Sequence, residues 1–202
     1  MKPIVERAQP STSTYRASGL VQIQLTRSAP LTSHVRPLKP TSMQTAAEVE
    51  AKVSLQEISA STVRQITDLS VKPEQANYVA SNAVSIAQAY FHREAWFRAI
   101  YAGTSPVGFV MLRDGTLLLS EPPSRELSLW RFMVDHRFQK LGYGRKALKL
   151  VVTHARALPQ AESIQTSYVP GPHGPRDFYL SFGFRHTGKT RPNGEVCLSF
   201  QF

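Results

Sequence analysis

A glycine-rich turn set between an apolar strand and an amphipathic helix constrains this chain more than any other feature. Leu127 to Val134 is almost continuously apolar. Alternation puts Trp130, Phe132 and Val134 on one face and Leu127, Leu129 and Met133 on the other, as a central strand covered on both sides requires. Arg131 interrupts the run; if buried it needs a carboxylate partner, and Glu94 and Asp135 are the candidates. The chain then turns through Gln139-Lys140-Leu141-Gly142-Tyr143-Gly144, where two glycines bring consecutive N–H groups together at a helix N-terminus. Free amides and the helix dipole both favour a phosphate there. Ala147, Leu148, Val151, Val152, Ala155 and Leu158 recur at helical spacing, with Arg145, Lys146, Lys149 and Arg156 largely elsewhere on the wheel, and Pro159 closes the helix. Neither G-x-x-x-x-G-K-[ST] nor G-x-G-x-x-G is present, so the two common nucleotide fingerprints are excluded.

With 202 residues, 42% of them hydrophobic, the chain suffices for one well-buried domain and falls short of two ordinary ones. No apolar run approaches the roughly 20 residues of a membrane-spanning helix, so no membrane partner is expected. The single cysteine, Cys197, excludes an internal disulfide, fits a reducing compartment and lies in an alternating strand pattern, where it reads as a structural thiol. A charge of +10 invites a nucleic-acid reading. The basic residues are spread without a block or an aromatic-basic repeat, however, so that reading stands second.

Residues 1–50 read as a tail distinct from a domain at 51–202. They hold twelve Ser/Thr and five Pro, and lack a sustained apolar period. Such a segment buries too little apolar surface to offset its ordering entropy and is expected to be flexible. The first 45 residues also resemble an organelle transit peptide, the simpler alternative being an extension on a cytoplasmic protein, with Met43 an alternative start. From Val53 the pattern gives a strand to Ile58, then a short helix over Val63–Val71 capped within Ser59–Ser61. A second helix opens near Pro73 with Val79, Ala83, Ile86, Ala87 and Tyr90 as its stripe. Ala95–Ala102 and Pro106–Leu112 form a hairpin about Gly103-Thr104-Ser105, and Gly115–Arg125 is irregular. Beyond the turn helix come a strand at Ser163–Val169, a helix around Asp177–Phe182, a strand from Phe184, a turn at Pro192-Asn193-Gly194 and a terminal strand. Strands alternating with helices imply an α/β or α+β domain with one mixed sheet.

Q-x-x-G-x-G after an apolar strand ending in Val-Asp resembles the acetyl-coenzyme A signature of the GNAT superfamily of N-acetyltransferases. From about Val53 to Phe202, SNAVSIAQAYF, WFRAIYAGTSPVGFVML, LWRFMVDHRFQKLGYG and SYVPG are similar to bacterial spermine/spermidine N-acetyltransferases. The resemblance implies a GNAT-like fold, acetyl-CoA as co-substrate, and acetyl transfer to a primary amine of a small molecule, a polyamine being one acceptor. The alternatives are another amine, on an amino acid, aminoglycoside or protein, or a non-catalytic acyl-CoA binder. It also implies which residues act. Phe132, Met133 and Val134 would meet the pantetheine arm, and Gln139, Lys140, Leu141, Gly142, Tyr143, Gly144 and Arg145 the pyrophosphate. Tyr179, four residues before Gly183-Phe184, would be the general acid. Glu94 is the candidate base, Glu74 the other carboxylate considered for it, and Glu74, Asn82 and Trp96 are candidates for the acceptor pocket. Pro172-His173-Gly174-Pro175 departs from the pattern, which commonly has Asn after Pro-Gly; two prolines shorten the helix start, and His173 is expected to be exposed. The folded part carries about +7, that is +10 less the tail's +3, which argues against a polycationic acceptor unless local charge reverses it. No metal site and no covalent acyl-enzyme are expected, and a homodimer is left open.

Overall fold

The computed structural model describes residues 52–118, 127–159 and 161–202. The tail and most of the Gly115–Arg125 connection expected from sequence lie outside the described residues.

Seven strands form one sheet in the order β1-β2-β3-β4-β5-β7-β6. They are β1 (Val53–Gln56), β2 (Ala95–Ala102), β3 (Ser105–Asp114), β4 (Leu127–Val134), β5 (Ser163–Tyr168), β6 (Arg185–Thr190) and β7 (Val196–Gln201). Among the described residues four α-helices accompany them: α1 (Val63–Thr67), α2 (Asn82–Tyr90), α3 (Tyr143–Arg156) and α4 (Arg176–Phe182). All pairings are antiparallel except β4 with β5. α3 packs on one face, where Ala147, Leu148, Val151, Val152 and Ala155 join Val110, Leu112, Leu127, Leu129 and Ile164 in the larger core. α1 and α2 cover the other face, over Ala99, Tyr101, Phe109, Met111 and Met133. The mixed α/β architecture expected from the strand and helix pattern is the one observed.

Two local readings need correction. Simple alternation fails in β4, because Met111 faces Arg131 whereas Leu112 faces Leu129, making Trp130 an extra residue, a β-bulge. Beyond it the faces are exchanged, so Phe132 packs with Leu127 and Leu129 against the α3 core, and Trp130 joins Met133 under α1 and α2. The helix expected from Pro73 is also two pieces, a 3-10 helix at Pro73–Tyr78 and then α2, whose first turn is capped by the Ser81 side chain accepting from the Val84 amide at 3.3 Å. Its buried face carries Asn82 and Ser85, not Ala83 and Tyr90, the latter being 85% exposed. Asn82 donates to the Ile66 carbonyl at 2.8 Å and Ser85 to the Ser81 carbonyl at 2.9 Å, so these polar groups are satisfied inside.

At the end of β4 a fully buried carboxylate ties the two layers together. Asp135 accepts from the Ser70 amide at 2.9 Å, and from the amide and Nε of Arg137 at 3.0 and 2.7 Å. Burial would raise its pKa, but the Arg137 side chain and the two amides outweigh burial and hold it below the ordinary carboxylate range. A depressed carboxylate contributes stability that is complete above its unfolded value near ~4 and lost as pH falls through the lower folded value. Asp135→Ala is therefore expected to cost about 3 kcal/mol at neutral pH, a fall in Tm of roughly 10 °C, and to flatten the acid side of the Tm-against-pH curve. Thermal melts of both proteins between pH 2 and 7 check this, and parallel acid limbs would refute it.

Candidate active site

β4 and β5 are paired only at Ser128 and Gln165. Beyond that point the Thr166 hydroxyl, not a backbone amide, donates to the Leu129 carbonyl at 3.1 Å, and the rest of β4 has no β5 residue opposite it. The parting opens two cavities.

The first, about 520 Å³, runs from Phe132, Met133 and Val134 past Gln139, Lys140, Gly142, Gly144 and Arg145 to His173 and Phe178. Gly142 is the N-cap of α3 at φ 81°, a left-handed conformation open to glycine at little cost. The first bond inside the helix runs from the Lys146 amide to the Gly142 carbonyl, so the amides of Gly142 to Arg145 have no partner within it. Among the described residues no side chain caps them. Gln139 shapes the turn with its side chain, donating to the Val134 carbonyl at 3.0 Å and to Gln75 Oε1 at 2.8 Å. Arg145 donates to the Ser181 carbonyl at 3.1 Å and lies over Phe182, tying α3 to α4. Leu141 and Tyr143 do not line the cleft; what they bring to the turn is backbone. An unladdered strand edge and an uncapped helix start facing one cleft fit an elongated ligand that has amide-pairing groups and phosphates, as acetyl-CoA has. His173 is exposed, as expected, and α4 begins only after Pro175.

A second cavity of about 550 Å³ lies on the other side of the parting. Its walls come from Ala76–Ala80, from Arg113, from Ser128–Phe132, from Thr166–Val169, and from Arg191, Asn193 and Glu195. The two cavities share Tyr78, Val79, Phe132, Pro175 and Tyr179. Tyr179 is thus the titratable group with a perturbed pKa at their junction. Burial pushes its phenol up to about 12, against a smaller lowering effect of the neighbouring Thr166 hydroxyl. Tyr78 is held there by fit, since a Cβ on Gly171 would overlap its hydroxyl and one on Gly174 would touch its ring.

The other sequence candidates are not brought to this junction. Glu94, Glu74, Asn82 and Trp96 line neither cavity. Glu94 accepts from His92 Nδ1 at 2.9 Å, if that nitrogen carries the proton, and pairs with Arg113 at 3.6 Å. Its carboxyl is held below the ordinary range, first by a backbone hydrogen bond and then by His92, a poor setting for a base at neutral pH. Glu74 is exposed on the 3-10 helix, Asn82 is spent on Ile66, and Trp96 stacks on His154 of α3 at 4.2 Å. Sequence reasoning missed Glu195, the carboxylate among the residues lining the second cavity, which accepts from Ser167 at 2.5 Å and from Asn193 at 3.0 Å. Its signal was the Asn193-Gly194 turn, which marks a loop but not what the loop reaches. Arg131, expected to pair with Glu94 or Asp135, pairs with neither; it donates to the Trp130 carbonyl at 2.9 Å and to Gln88 Oε1 at 3.1 Å. Among the described residues no group of His, Cys, Asp and Glu is placed to hold a metal, and no helix is long and apolar enough to cross a membrane.

Comparison with known proteins gives the family and the fold. The sequence model of the Acetyltransferase (GNAT) family matches residues 58–184. A spermine/spermidine N(1)-acetyltransferase of Bacillus subtilis is 28% identical over 138 residues, 66% of this chain and 88% of that protein. Among solved structures, an acetyltransferase of Thermus thermophilus is similar with TM-score 0.59 at 15% identity, covering 76% of this chain and 99% of that one. An aminoglycoside acetyltransferase in complex with coenzyme A has TM-score 0.59 at 14% identity, covering 74% and 95%. At these identities the structures attest the fold alone.

The left-handed N-cap supplies a test. Gly142→Val forces a β-branched residue to φ 81° and should disturb the uncapped amides, lowering coenzyme A affinity at least ~10-fold. Calorimetric titration with coenzyme A reads this, and unchanged affinity would show that the turn does not bind the cofactor.

Proposed function

The chain belongs to the GNAT family, acetyl-CoA-dependent N-acetyltransferases, and from that premise we propose that its domain at 51–202 acetylates the primary amine of a small molecule by direct attack in a ternary complex. The observation that carries the reading is the meeting of the two cavities at Tyr179. One is suited to the co-substrate, the other to the acceptor.

When bound, acetyl-CoA supplies an acetyl group activated as a thioester. The β4 edge at Phe132–Val134 and the amides of Gly142–Arg145 position it, and backbone donors near the parting offset charge that develops on the carbonyl oxygen. The acceptor nitrogen, entering from the second cavity as the neutral amine, forms the C–N bond as the C–S bond breaks. It sheds one proton, and the departing thiolate takes one from solvent. Tyr179 serves the sulfur. A phenol near 12 remains protonated throughout the physiological range, yet it is a weaker acid than a thiol near ~8.5, so it acts by hydrogen-bonding to the departing sulfur as negative charge grows there. Glu195 takes up the acceptor proton, directly or through water, in place of Glu94 and Glu74, which do not line the cavity.

A polyamine acceptor is favoured by the Bacillus subtilis relative's name and by the Glu195 carboxylate. Arg113, Arg131 and Arg191 on the same walls weigh against it. Thiol release from acetyl-CoA against a panel of polyamines, diamines, amino acids and aminoglycosides separates these acceptors.

Tyr179→Phe should lower kcat by about 100-fold while leaving coenzyme A affinity within ~2-fold. A binder without catalysis would show no turnover to lose. Because the phenol is raised to about 12, its protonated form persists well above pH 10, so the wild-type rate should rise as the amine deprotonates and show no basic limb below about pH 11. A fall centred near pH 10, absent from Tyr179→Phe, would assign the phenol an ordinary pKa and refute the buried setting.

A further inference from the structure

The walls of the acceptor cavity have a charge pattern that acetyl transfer alone does not require. Three guanidinium groups line it, from Arg113, Arg131 and Arg191, with the single carboxylate of Glu195 among the described lining residues. Two of the three are compensated. Arg113 pairs with Glu94 at 3.6 Å, behind the wall, and Arg191 with Glu195 at 3.8 Å. Arg131 has no carboxylate within ion-pairing distance among the described residues. Its partners are a carbonyl and an amide oxygen, and its buried Nε has no hydrogen-bond partner. Arg113 and Arg131 both lie against the Trp130 ring, with their guanidinium carbons 5.0 and 5.2 Å from its centroid, so one aromatic ring serves both cations. Burial lowers the Arg131 pKa, only partly offset by the field of Glu195.

A half-buried guanidinium without a counter-charge is a costly arrangement in a resting protein and a favourable one for an arriving oxyanion. We propose, resting on the acetyl-transfer reading above, that the acceptor is an amine that also carries an oxyanion, a carboxylate or a phosphate, which Arg131 binds while the amine is directed toward Glu195 and Tyr179. The bulge at Trp130 serves this arrangement. It turns Arg131 toward Gln88 of α2 and into the acceptor cavity, where uninterrupted alternation would have set the rest of the strand on the opposite face. The same cationic wall disfavours a spermidine-like acceptor, whose charges are all positive.

Matched acceptors that differ only in the anion test this on the full-length protein: an amino acid against its decarboxylated amine, and an aminoalkyl phosphate against the amino alcohol. Thiol release is expected to give kcat/KM at least ~10-fold higher for the anionic member of one pair, and the pair showing it tells carboxylate from phosphate. Arg131→Gln should bring that ratio toward one, and Arg131→Lys should retain much of it. The wild-type comparison needs no variant and so survives any folding defect in Arg131→Gln. Equal or faster turnover of the anion-free members, or an unchanged ratio in a folded Arg131→Gln, would overturn the proposal while leaving acetyl transfer standing. Turnover of no amine by protein that binds acetyl-CoA would overturn the transfer reading and this inference with it.

Discussion

Everything at the site depends on the separation of β4 from β5 after a single paired position. A parallel pair continued to the ends of both strands would consume the β4 edge in a ladder and close both cavities. Two local devices, one of side chain and one of backbone, prevent this. Thr166 satisfies the Leu129 carbonyl with its hydroxyl, so the last shared position is not left with an orphan acceptor, and the bulge at Trp130 bends β4 away. The exposed edge costs little while it faces an open cleft, because its amides are accessible to solvent there. On its other edge, β4 stays clamped to β3, and the contact is close enough that a Cβ on Gly108 would overlap the Met133 carbonyl. The strand is rigid on one side and unladdered on the other.

That rigidity is carried past the end of the strand. Asp135 gathers the Ser70 amide and Arg137, and Gln139 bridges the Val134 carbonyl and Gln75. Both links join the exit of β4 to the segment between α1 and α2, the same segment that sets Tyr78 against Gly171 and Gly174. The turn that presents the α3 amides and the wall that separates the two cavities are therefore parts of one braced unit. Pre-positioned donors of this kind need no reorganisation when charge develops.

The sequence made the cofactor side legible for a physical reason: it is built from backbone over a short, contiguous stretch. Apolar Leu127–Val134, glycines at 142 and 144 and the stripe of α3 each leave a local pattern, and the sheet and helices followed the expected order. The bulge did not show, because an extra residue in an apolar run still reads as an apolar run; only the cross-strand register reveals which face Phe132 and Arg131 occupy. The break between the 3-10 helix and α2 was hidden by apolar residues at helical spacing. Asn82 and Ser85 then shifted the buried face, which keeps Val79 and Ile86 of the expected stripe but not Ala83, Ala87 and Tyr90, since a polar side chain that satisfies a local carbonyl can be buried without penalty.

The acceptor side was illegible because it is assembled from side chains far apart in the chain. Tyr78, Arg113 and Glu195 share no spacing and each by itself reads as an ordinary surface or strand residue, while Arg131 stood out without its partners and Tyr179 only through the family resemblance. Net charge misled as well as informed. The surplus of the folded part argued against a polycationic acceptor, yet a total cannot say where a charge is left without a partner. Glu94 illustrates the difference: in sequence it is an acidic residue ahead of a strand and a candidate base, whereas in the fold it is bound to His92 and Arg113 and contributes to the cavity only by neutralising one of its arginines. With Arg113 paired to Glu94 and Arg191 to Glu195, Arg131 is the charge on these walls left without a counter-charge among the described residues. A site with one unspent positive charge suits an acceptor that brings an anion along with its amine.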